Sequence, residues 1–149
     1  MAPLKRFEGG CHCGNITVVL ETRRRPDELG LRACQCSFCL SHGARSTSDP
    51  QGHARITVRD GARLRRYRFG LRTADFLVCR DCGGYAAAVM TEAGGSFAVL
   101  NVNLFRDAAA FAAPATPMSY DAESEAERRA RRRRLWTPAE VAVLNASGG

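Results

Sequence analysis

Apolar and polar positions alternate along this chain in short runs, and glycine, proline or aspartate separates one run from the next. Asn15–Glu21 (Asn-Ile-Thr-Val-Val-Leu-Glu) is apolar and β-branched, which predicts a strand. Arg23–Asp27 reads as a polar turn, and Leu29–Cys34 as a second short strand. In Ala54–Arg59, Ile56 and Val58 alternate with Arg55, Thr57 and Arg59, the period of a strand with one wet face. Asp60-Gly61 predicts the turn into a further strand at Leu64–Phe69. Ala74–Cys79, Tyr85–Thr91 and Ser96–Val102 extend the series, the last two joined at Gly94-Gly95, while Ser41–Gly52 has the composition of a loop. Short strands without βαβ spacing predict a mainly β domain of antiparallel strands.

The pattern changes after residue 118. Asp121 is placed to cap a helix that opens with Glu123, Glu125 and Glu127 and closes with Arg131–Arg134, charges that suit the helix dipole. Glu125 with Arg129 and Glu127 with Arg131 have the spacing of helical ion pairs. Ala122, Ala126 and Ala130 form a narrow small-residue face suited to lying on something flat. Thr137-Pro138-Ala139-Glu140 reads as a capping box that opens a second short helix, and Gly148-Gly149 as a frayed end. Trp136, the only tryptophan, is expected to anchor this tail to the sheet. The expected organisation is a β domain over residues 1–118 and a helical tail, 119–149, packed on it.

At 149 residues the chain can build one hydrophobic core, and 45% hydrophobic with 25% charged residues excludes global disorder. Its longest apolar stretches, around Ala86–Met90 and Ala108–Pro114, fall far short of the ~20 residues of a membrane helix. Met1–Glu8 has no apolar segment of a secretory signal, so a cytoplasmic location and no membrane partner are expected.

Seven cysteines, an odd number, argue against a disulfide framework. They fall into three tight groups: Cys11-His12-Cys13, Cys34-Gln35-Cys36-Ser37-Phe38-Cys39 and Cys79-Arg80-Asp81-Cys82. Cys11 and Cys13 precede Gly14, and Cys79 and Cys82 precede Gly83-Gly84; glycine there permits a sharp turn that aims backbone N–H groups at thiolates. The two pairs together would make a closed four-thiolate zinc site that pins the start of the first strand to the end of a late one. Cys34, Cys36 and Cys39 remain, and three thiolates leave one tetrahedral position for water or substrate, the arrangement of a catalytic zinc. His42 could instead close that site as a structural Cys3His set. His12 is expected to face solvent, and His53 lies in a polar stretch. A three-thiolate zinc generates hydroxide poorly but favours a further soft ligand, such as an incoming thiol, as a nucleophile for an electrophilic carbon.

In order and spacing, Cys11-His12-Cys13-Gly14, the Cys34–Cys39 group and Cys79-Arg80-Asp81-Cys82-Gly83 resemble the glutathione-dependent formaldehyde-activating enzyme family, which includes centromere protein V. Arg128–Pro138, ending Leu135-Trp136-Thr137-Pro138, is similar to the C-terminal stretch of many bacterial members. The resemblance implies a β-tent fold built on zinc knuckles, with structural zinc on Cys11, Cys13, Cys79 and Cys82 and catalytic zinc on Cys34, Cys36 and Cys39. It also implies carbon–sulfur lyase chemistry of the S-(hydroxymethyl)glutathione synthase type, with glutathione as co-substrate and formaldehyde as the aldehyde.

A carboxylate-bearing thiol needs cationic partners, and Arg45 is the first candidate, with Arg55 and Arg72 behind it. His42 is the nearest titratable residue that could supply a proton. An alternative is a non-catalytic zinc module that contacts nucleic acid or protein through Arg128–Arg134, although the acidic half of that helix offsets the run and no aromatic series provides stacking platforms. Seven thiolates and two divalent ions would lower the formal charge from +7 to +4, which suits either kind of anionic partner.

Overall fold

Eleven strands form among the described residues, 1–145 of a computed structural model, and they join one branched sheet. They are β1 (Lys5–Gly10), β2 (Ile16–Thr22), β3 (Arg32–Cys34), β4 (Ser46–Thr47), β5 (His53–Asp60), β6 (Leu64–Tyr67), β7 (Asp75–Cys79), β8 (Tyr85–Glu92), β9 (Gly95–Asn101), β10 (Thr116–Met118) and β11 (Thr137–Asn145). Two helices accompany them, α1 (Ser37–His42) and α2 (Glu125–Leu135). One path runs β1-β2-β5-β11-β9-β4-β3-β10, and β9 also carries a second arm, β8-β7-β6. The mainly β class with a C-terminal helix is the one the patterning predicts. Gly148-Gly149 lies outside the described residues.

Alternation explains the core. Ile16, Val18 and Leu20 from β2 and Ala54, Ile56 and Val58 from β5 are almost fully buried, while Arg55 and Arg59 face out. They meet Ala87 and Val89 of β8, Ala98 and Leu100 of β9, and Phe105 and Phe111. β8 is buried on both sides: Ala88 and Met90 look the other way, toward Trp136. The run Ala86-Ala87-Ala88 keeps this strand thin enough for two faces to close on it.

Several expectations are corrected. Thr137-Pro138-Ala139-Glu140 opens a strand, not a second helix: Trp136 is extended, and the Thr137 hydroxyl accepts the Asp49 backbone N–H at 2.8 Å rather than capping. Thr137, Ala139, Val141 and Val143 alternate with more exposed neighbours, and β11 supplies β5 with a partner along most of its length. That pairing is parallel, as is β3 with β10, so the sheet is mixed rather than wholly antiparallel. Ser124 caps α2 in Asp121's place, with Glu127 returning to the Ser124 backbone. Glu125 does pair with Arg129, but Glu127 is spent on the cap and Arg131 turns to Glu123. Ala122, Ala126 and Ala130 face solvent, and Arg132 is the residue of α2 that is buried. Leu29–Cys34 is a strand only from Arg32. Ser41–Gly52 is mostly loop, as its composition suggests, but it carries β4, Ser46–Asp49 are buried, and the Asp49 carboxylate accepts the Thr22 hydroxyl at 2.5 Å.

Candidate metal centres

Two tight turns build the first centre. Cys11 and Cys13 occupy the β1–β2 turn, Cys79 and Cys82 the β7–β8 turn, and their four Sγ atoms lie within 4.8 Å of one another. Gly14 (φ 87°) and Gly83 (φ 76°) take the left-handed conformation each turn requires. Gly84 lets the second turn approach the first, since a Cβ there would stand 2.9 Å from the Cβ of Cys11. Cys13 Sγ is 3.8 Å from Cys11 Sγ and 3.4 Å from Cys79 Sγ, close to the ~3.8 Å edge of a tetrahedron with ~2.3 Å metal–sulfur bonds. The Ile16 N–H donates to Cys11 Sγ, and Arg63, paired with Asp81, reaches Cys13 Sγ at 3.7 Å. Burial pushes the Cys11 thiol up to about 12 and raises Cys79 as well. Burial opposes ionisation of Cys82 too, yet the Cys13 and Gly84 backbone and hydrogen bonds from Cys79 and Cys11 bring it down to about 6.

Cys34 ends β3, Cys36 caps α1, and Cys39 lies one turn into that helix, where its N–H donates to Cys36 Sγ at 3.4 Å. These three Sγ atoms also lie within 4.8 Å of one another. Cys34 is brought down to about 5, chiefly by its hydrogen bond from Cys39 and against its own burial, with Arg131 adding a positive charge. Cys39 is raised, first by that same hydrogen bond and then by burial, and Cys36 is raised by burial. Both sulfur sets can hold metal ions.

Among the described residues no imidazole or carboxylate joins the trio's cluster. His42 Nδ1 instead bonds with the Phe38 carbonyl at 2.9 Å, and its ring packs on Phe38 at 4.3 Å. His12 is exposed, and His53 opens β5.

Beside the trio opens a cavity of about 470 Å3, lined by Cys34 and Cys36, by Phe69, Leu71 and Phe76, and by Tyr120, Arg128 and Arg132 from the tail. A narrow cavity of about 60 Å3 lies by Cys34 and Cys39, bordered by Tyr85, Arg32, Arg132 and Trp136. Tyr85 is buried, and burial followed by the charge of the nearby thiols raises its phenol well above the ordinary range.

Arg45 does not line either cavity: it donates to Asn103 Oδ1 at 2.7 Å and to the Phe111 carbonyl at 2.6 Å. Arg55 pairs with Glu140 across β5 and β11, and Arg72 is exposed with φ 56°. The cations beside the thiols are Arg32, Arg128, Arg131 and Arg132, which the sequence reading missed as site residues. The four-residue spacing of Arg128, Arg132 and Trp136 was the available signal for one inward helical face. Most of the basic run is used internally: Arg128 and Arg131 hold Glu123, and Arg129 and Arg133 hold Glu92.

No family model and no curated protein matches this chain. A crystal structure of a Rhodobacter sphaeroides protein, a structural genomics target, is similar to it, with a TM-score of 0.57 and 27% identity over 74% of this chain and 99% of that one. Among the described residues no helix is long and apolar enough to cross a membrane.

Proposed function

We propose that this chain is a zinc-dependent enzyme of the carbon–sulfur lyase type, joining or releasing a small thiol and an aldehyde, and that it belongs to the glutathione-dependent formaldehyde-activating enzyme and centromere protein V family. One observation carries the reading: three clustered thiols have no imidazole or carboxylate completing their set among the described residues, and two of them, Cys34 and Cys36, border a cavity large enough for a small organic substrate. The donor chemistry fits zinc, since two all-sulfur groups, one of four and one of three, match a closed structural and an open catalytic set. Zinc bound by Cys34, Cys36 and Cys39 would supply a Lewis acid that lowers the pKa of a substrate thiol. Cys11, Cys13, Cys79 and Cys82 would hold the structural ion.

The chain's own residues supply the rest. Addition of a thiol to an aldehyde forms one C–S bond and breaks the C=O π bond, and the thiol proton ends on the new hydroxyl. No electrons are gained or lost overall. Phe69, Leu71 and Phe76 line the large cavity and give the reacting carbon an apolar surface to lie against. Tyr85, kept protonated by its burial, offers its Oη–H to the oxygen that gains charge. Glutathione and formaldehyde are the reactant pair proposed, on the sequence resemblance. Seven unpaired thiols suit a reducing, cytoplasmic compartment.

Cys36→Ser tests the reading. The variant should lose about one of two zinc equivalents and at least 100-fold of glutathione–formaldehyde adduct turnover. Unchanged turnover removes the catalytic site from the trio.

A further inference from the structure

Helix α2 carries its arginines in two states. Arg128, Arg129, Arg131 and Arg133 each hold a glutamate, but Arg132, only 7% exposed, has no carboxylate partner among the described residues. Its guanidinium donates to the Thr73 hydroxyl at 2.6 Å and lies 4.5 Å from the Trp136 ring centre, while its Nε is buried without a hydrogen-bond partner. Arg32, half-buried, also lacks a carboxylate partner among the described residues, and its guanidinium donates to the Ser48 hydroxyl at 2.6 Å. Withdrawing a charge from water without a counter-charge is costly, most of all for the buried Arg132, and a protein that keeps two such cations beside one cavity gains when an anion arrives.

Both guanidiniums border the narrow cavity that Cys34 and Cys39 also border, and Arg132 borders the large one as well. At ~60 Å3 the narrow cavity has room for a small group such as a carboxylate. The trio does not account for both charges. Three thiolates and a divalent ion leave one negative charge, against two unpaired guanidiniums. Glu123 lines the large cavity but is already held by Arg128 and Arg131.

We infer that Arg32 and Arg132 form an anion subsite that binds a carboxylate of the substrate directly beside the cysteine trio. The inference rests on the proposed thiol–aldehyde reading and narrows its substrate to one with a carboxylate a few bonds from the reacting atom. Formaldehyde has no group to place there, so the carboxylate belongs to the thiol or to a larger, acidic aldehyde. The planar fork of arginine suits a carboxylate edge, which it can grip with two parallel hydrogen bonds.

Trp136 provides a readout independent of turnover, because it lies against Arg132 and borders the narrow cavity. Zinc-loaded protein is titrated with propionate and with its neutral isostere propionamide at constant ionic strength, and Trp136 emission is followed. Propionate should give a saturable change and propionamide none. Arg32→Gln should weaken propionate about tenfold, and Arg132→Gln at least as much. Should Arg132→Gln fail to fold, Arg32→Gln and the wild-type comparison decide. Equal responses to the two probes, or propionate binding that ignores Arg32→Gln, overturn the subsite. Cobalt-substituted protein with 2-mercaptoethanol tests the thiol reading separately. Propionate binding without a thiol-dependent spectrum sinks that reading and leaves the subsite in place; a thiol-dependent spectrum without propionate binding does the reverse.

Discussion

The two sulfur groups should differ in what they do for stability, and paired substitutions can measure the difference. Cys13 and Cys79 are 66 residues apart, so a metal on the four-thiol group closes a long loop, whereas Cys34 to Cys39 closes one of six residues. By loop-closure entropy the first crosslink is worth about 4 kcal/mol and the second about 2 kcal/mol. Two double variants isolate this term, Cys79→Ser with Cys82→Ser and Cys39→Ser with Cys36→Ser. Each replaces one buried and one half-buried thiol, so the packing losses largely cancel. At about 3 °C per kcal/mol for a chain of this size, the first should melt about 6 °C below the second when both are purified with zinc. Calorimetry of the two, with metal content measured on the same samples, is the assay. Equal melting temperatures, or the trio variant melting lower, would refute the assignment of the crosslinking role to Cys11, Cys13, Cys79 and Cys82.

Three further outcomes test other parts of the structure. Trp136→Ala empties the pocket formed by Ala74, Ala88, Met90 and Val99 and should cost about 4 kcal/mol in urea unfolding; a loss below 1 kcal/mol would mean that the tail is not anchored there. The hydrogen bond from Arg131 holds the Glu123 carboxyl below its ordinary range, so its stabilisation is present above the unfolded-state pKa and fades as pH falls through the lower, folded value. Glu123→Gln should therefore destabilise by about 1 kcal/mol at pH 7 and flatten the acid limb of the stability curve, and an unchanged limb would remove Glu123 from the account. Gly84→Ala places a Cβ 2.9 Å from that of Cys11 and should speed loss of one metal equivalent to a chelator; wild-type release rates would show that the two turns have room to separate.

The sequence was most informative where a local rule was enough. Period-two alternation in Ile16–Leu20 and Ala54–Val58 already implies which side is buried, because a strand has only two faces. Glycines after the cysteine pairs gave the turns, since only residues without a Cβ take their positive φ freely. Local rules failed at Thr137–Glu140, where a helix-start signature lies in a strand because β9, and from Ala139 onward β5, offered it backbone partners. They failed again at Arg45. Its closeness in sequence to the trio placed it at the site, yet its side chain turns toward Asn103 and Phe111.

By itself the sequence determined the mainly β class and the three sulfur groups, because thiol clustering and strand period are local properties of the chain; the fold is what brings the Cys11–Cys13 and Cys79–Cys82 pairs into one set of four. Only the tertiary structure decided which cations face those thiols. Arg32 reaches them from the short strand before Cys34, and Arg132 from a helix almost a hundred residues farther along. Nothing around Arg32 marks it as different from other arginines, and in the helix only the four-residue spacing of Arg128, Arg132 and Trp136 hints at an inward face. The distinction arises when α2 packs against the sheet, burying one guanidinium over Trp136 and leaving the next to find a carboxylate.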